Sequence, residues 1–137
     1  MKKQLTLVSL LFLIICGITA CKKDSVDGKS LKSRMIGKWK VKKIETTVGS
    51  TPTTTYTGVD ADYLDFRNND NDELEVNLAG NRLSGNYAVL INQTFNLNIS
   101  GEVTFCTVSN VNDNLLEFSG TISKSTGNTS KKYELYR

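Results

Sequence analysis

The sequence predicts an all-β protein, a small antiparallel up-and-down barrel of eight strands. Three observations carry that prediction. From Met35 onward apolar residues recur at every second position in short runs, the period of a half-buried strand. Clusters of Gly, Asn, Asp and Ser suited to tight turns separate those runs. No connection has room for a crossover helix, so neighbouring strands must run antiparallel. Eight strands with one dry and one wet face close most naturally into a barrel, which removes the sheet edges. A two-sheet sandwich is the alternative.

The first strand covers residues 36–48. Trp39 and Val41 share a face, and the parity changes by Ile44, which places a bulge at Lys42-Lys43. The second covers 55–66, with Leu64 and Phe66 in phase. In the third, 72–78, Leu74, Val76 and Leu78 alternate with polar residues. The fourth is 85–91. In the fifth, 94–100, Phe95, Leu97 and Ile99 alternate with Asn96, Asn98 and Ser100. The sixth is 103–109, the seventh 114–122 and the eighth 130–136. A two-residue turn at Asn92-Gln93 sets Leu90 opposite Phe95 and Ala88 opposite Leu97.

The N-terminal segment belongs to no strand. Lys2 and Lys3 precede a run without charge, Leu5–Ile18, which at 14 residues is too short to cross a hydrocarbon core of about 30 Å. A basic start and a short apolar run describe a signal peptide. Its end, Ile18-Thr19-Ala20-Cys21, resembles the bacterial lipobox. That resemblance implies cleavage after Ala20, a diacylglyceryl thioether on Cys21 and an acylated new N-terminus. A thiol suits the role because its thiolate is a strong nucleophile near neutral pH. Cys16 follows the bulky Ile15 and competes poorly. Residues 1–20 are thus read as a lipoprotein signal peptide, 21–34 as a polar, lipidated tether, and 35–137 as the barrel domain. A plain secreted protein with an incidental cysteine is the alternative. Two or three acyl chains would hold the protein stably to a membrane.

Without Lys2 and Lys3 the chain carries 15 basic and 14 acidic residues, so nucleic acid is not an implied partner. The charge is segregated, however. Residues 22–43 hold nine basic and two acidic residues, and 44–137 hold six and twelve. The basic end could lie against anionic headgroups, or serve only as a solvated linker.

The chemistry-bearing residues are few. There is no histidine, and hence no His-based triad, general base or zinc site. Cys106 sits in a β-rich run without a basic neighbour and reads as a small core residue rather than a reactive thiol. Asn68–Glu73 is oxygen-rich, but Glu73 stands where a calcium loop of the EF-hand kind needs glycine, so it reads as a polar hairpin and no metal or other cofactor is expected. Asp60 with Asp62, and Glu73 with Glu75, are carboxylate pairs on faces read as solvent-exposed. No enzymatic activity is expected. Asp24-Ser25-Val26 is similar to a short bacterial O-glycosylation motif, which makes Ser25 a candidate acceptor.

Gly37-Lys38-Trp39 resembles the Gly-x-Trp that opens the first strand of lipocalins, and the chain ends Tyr133-Glu134-Leu135-Tyr136-Arg137. The lipobox, the lysine-rich tether, Gly37-Lys38-Trp39, Tyr63–Phe66 and Leu135–Arg137 together are similar to the lipocalin-like lipoproteins of Gram-negative bacteria. The resemblance implies a lipid anchor in the outer membrane, and barrel closure by Gly37, Trp39 and Arg137, with the guanidinium over the indole. It also implies a small apolar ligand. The inward candidates are Trp39, Val41, Leu64, Phe66, Leu74, Val76, Phe95, Leu97, Phe105 and Phe118. The alternative is a solid barrel that binds a protein or polysaccharide partner of the envelope. Classical lipocalins are longer and add a helix after the barrel.

Overall fold

A computed structural model of the chain describes residues 28–125 and 127–137. Residues 1–27, which include the expected signal peptide, Ala20, Cys21 and Ser25, lie outside the described residues.

The chain first forms a single helical turn, α1 (Leu31–Met35). Ser30 caps it by accepting from the Ser33 N–H at 3.3 Å. Leu31 and Met35, four residues apart, turn one apolar stripe onto the core, and Met35 is fully buried. Residues 31–34 therefore do not continue the tether read from their polarity.

Nine strands follow: β1 (Gly37–Val48), β2 (Thr54–Thr57), β3 (Tyr63–Phe66), β4 (Glu73–Leu78), β5 (Asn81–Val89), β6 (Thr94–Ile99), β7 (Glu102–Val111), β8 (Leu115–Lys124) and β9 (Gly127–Tyr136). Every pairing is antiparallel, and β1 pairs with β9 from Lys40↔Tyr136 to Val48↔Thr129. The sheet is thus a closed eight-stranded barrel, as expected from the alternation, and is compatible with a lipocalin-like fold. The register shift between Val41 and Lys43 marks the bulge that returns Ile44 to the interior.

The ninth strand arises because the expected second strand is split. β3 pairs with the start of β1 (Gly37–Lys40), and β2 continues the same line along Lys43–Thr46. Between them the chain loops out and returns. The Gly58 N–H donates to Lys42 O at 3.0 Å, and the Val41 N–H donates to Asp62 O at 3.1 Å. Gly58 crosses so close to β1 that an added Cβ would lie 2.0 Å from Val41 O.

The turn before β6 also differs from expectation. Asn92 and Gln93 both have positive φ. Thr94, however, faces two residues: it accepts from the Leu90 N–H at 2.9 Å, and its own N–H donates to Ile91 O at 3.1 Å. This extra residue slips the register by one, so Val89 faces Phe95, Tyr87 faces Leu97 and Ala88 faces Asn96. Leu90 and Ile91 are left exposed at the turn.

Candidate binding cavity

The barrel has two unlike ends. One is stoppered by α1, the β3–β4, β5–β6 and β7–β8 loops and the C-terminal Arg137. Lys32 pairs with Asp72 at 2.5 Å, and Arg34 donates to Val111 O at 3.4 Å and to Gln93 Oε1 at 3.3 Å. The Trp39 indole, fully buried, donates to Met35 O at 2.7 Å. The Arg137 guanidinium lies 3.7 Å from the Trp39 ring centroid and donates to Ile36 O at 2.6 Å. Gly37, at φ +114°, brings the chain directly beneath that guanidinium. Gly37, Trp39 and Arg137 therefore form one contact.

Above this stopper the interior is packed. A run of aromatic contacts crosses it. Tyr87 meets Phe66 at 5.2 Å between centroids, Phe66 meets Phe95 at 6.2 Å, and Phe95 meets Phe118 at 5.1 Å, all edge to face. Phe118 then stacks on Tyr133 at 4.4 Å. Trp39, Val41, Phe66, Leu74, Phe95 and Phe118 thus serve as core, and none of them lines the space beyond.

That space is a cavity of about 370 Å³ at the other end, where the turns at Ala79-Gly80, Ser100-Gly101 and Lys124–Gly127 surround an opening. Leu64, Val76 and Leu97, three of the inward candidates, form its floor together with Leu78, Ile99 and Ile122. Tyr133 and Thr104 reach it from β9 and β7, and Glu102 and Lys131 stand in its wall. Sequence reading had no reason to single out Glu102, Lys131 or Tyr133. Inward parity on β7 and β9 was the available signal.

Phe105 corrects the expectation. Thr104, Cys106 and Val108 point inward, so Phe105 points outward and is 62% exposed, between Asn96 and Thr121 on the neighbouring strands. Cys106 is a buried wall residue whose thiol is pushed up to about 12 by burial, which leaves it unreactive near neutral pH.

The carboxylate pairs are structural. Asp60 is exposed, whereas Asp62 is fully buried, contrary to the solvent face expected of it. Its oxygens accept from the Tyr56 hydroxyl at 2.5 Å, the Val59 N–H at 2.9 Å and the Ala79 N–H at 2.9 Å. Burial alone would raise its pKa, but these three donors together hold it below the ordinary carboxylate value. Glu73 and Glu75 share Arg67, and Glu75 also accepts from Tyr63. Among the described residues no cluster of three or more acidic or cysteine side chains is placed to hold a metal ion.

The basic stretch is largely neutralised where the structure describes it. Lys38 lies 4.0 Å from the Tyr63 ring centroid, Lys40 pairs with Asp60, Lys42 with Glu134, and Lys43 with Glu45 and Glu134. The charge excess counted along the sequence is not a free positive face on β1.

No family model matches the chain, and no curated protein matches it.

Proposed function

We propose that the chain is a lipid-anchored protein of the bacterial cell envelope, fastened to the outer membrane through Cys21, whose lipocalin-like barrel takes a small apolar ligand into its open end. The observation that carries this reading is the cavity of about 370 Å³, floored by Leu64, Val76, Leu97 and Ile99. Its size is at the low end of the range of about 300–1,000 Å³ usual for small-molecule sites, and its lining is aliphatic with a few polar groups, the usual make-up of such sites. The anchor rests on Ile18-Thr19-Ala20-Cys21 and the short apolar run before it. Native mass spectrometry of the protein from its own membrane is expected to show a bound small molecule that Leu97→Trp excludes. A gently prepared sample carrying none would count against the reading.

A second reading, binding of an envelope protein or polysaccharide by the outer wall, draws on Phe105, an exposed aromatic among uncharged Asn and Thr side chains. Phe105→Ser would abolish such binding and leave the cavity unchanged.

A further inference from the structure

Resting on the reading of the cavity as a ligand site, we propose that its ligand is an amphiphile with one anionic head, a medium-chain carboxylate, gripped by Lys131 and Tyr133 of β9. Three charged side chains stand around the opening. Glu102 and Lys124 satisfy each other at 2.6 Å. Lys131 is half-buried, lines the cavity and makes no ion pair with any described residue. An ammonium held against an aliphatic wall is stabilised by an anion brought to it, and the one carboxylate of its own strand, Glu134, faces outward and pairs with Lys42 and Lys43.

Tyr133 lies two residues further on the same face, roughly 7 Å along the strand. Its ring forms part of the wall and stacks on Phe118, and its hydroxyl has no hydrogen-bond partner among the described residues. Burial keeps that phenol protonated, so it can only offer its proton to an anion at neutral pH. An ammonium and a phenolic O–H on one face of one strand suit the two oxygens of a carboxylate. Glu102 in the same wall disfavours a doubly charged head such as a phosphate monoester. The cavity volume suits a single tail lying on Leu64, Leu97 and Ile99 rather than a two-chain lipid.

Isothermal titration of the full chain with decanoate and with 1-decanol tests the assignment. The wild type is expected to bind decanoate at least about tenfold more tightly than decanol, the gain of a charge-assisted hydrogen bond. Lys131→Met should abolish that preference by weakening decanoate binding, with a circular dichroism spectrum and melting temperature close to the wild type's showing that the variant is folded. Lys131→Arg should keep the preference, and Tyr133→Phe should reduce it. Equal binding of decanoate and decanol by the wild type, or a preference that survives Lys131→Met, overturns the head-group assignment and leaves the apolar site standing. Binding of neither overturns both.

Discussion

Arg137, the last residue of the chain, covers Trp39 at 3.7 Å and joins it to the stopper through Ile36 O, so the C-terminus locks the first strand in place. A partly desolvated cation–π contact and a charged hydrogen bond act on one side chain. Arg137→Ala is expected to destabilise the barrel by about 1–2 kcal/mol, read from urea unfolding. Arg137→Lys should recover part of this, because lysine keeps the charge but loses the planar stacking.

Asp62 gives the fold an acid-sensitive fastening. Its folded pKa lies below the ordinary value of 3.8, so the unfolded chain takes up its proton first as pH falls. The stabilisation is complete above the unfolded value and disappears as pH drops through the folded one. Melting temperatures between pH 7 and pH 3 should fall less steeply for Asp62→Asn than for the wild type. Asp62→Ala leaves three donors unanswered and should cost about 3 kcal/mol at pH 7.

Cys106 should resist alkylation. With the thiol pushed up to about 12 and buried, iodoacetamide at pH 8 is expected to modify it only as fast as the barrel opens, and promptly in denaturant. Rapid labelling of the native protein would contradict this placement.

Gly58 should not tolerate a side chain. A Cβ there would lie 2.0 Å from Val41 O, within the backbone of the neighbouring strand. Gly58→Ala is expected to cost more than about 2 kcal/mol in thermal or chemical unfolding, through displacement of the loop between β2 and β3.

The barrel was legible in the sequence because the apolar residues of several strands alternate with polar ones. Leu74, Val76 and Leu78 on β4, and Phe95 and Leu97 on β6, could face only one core. What alternation does not encode was missed. The loop at 58–62 turns on a buried carboxylate, and Asp62 differs from an exposed aspartate only in having Tyr56 and Ala79 folded onto it. The α1 stopper is one turn long, too short for a helical period, although Leu31 and Met35 behind Ser30 carried its signal. The slip at Leu90-Ile91 depends on Thr94 alone bonding to both residues. Phe105 is expected inward but neighbours the inward Cys106, so strand parity turns it to solvent. In the cavity, the apolar floor was foreseen at Leu64, Val76 and Leu97. Its polar wall was not, because a lysine on an inward strand position looks no different from one on the surface.

The α1 stopper has a consequence for how the protein meets its surroundings. The described chain enters the barrel through α1, beside Arg137 and at the pole opposite the opening. A protein held by that end stands like a cup on its stem. In that posture its rim of Glu102, Lys124 and Lys131 would face away from whatever holds it.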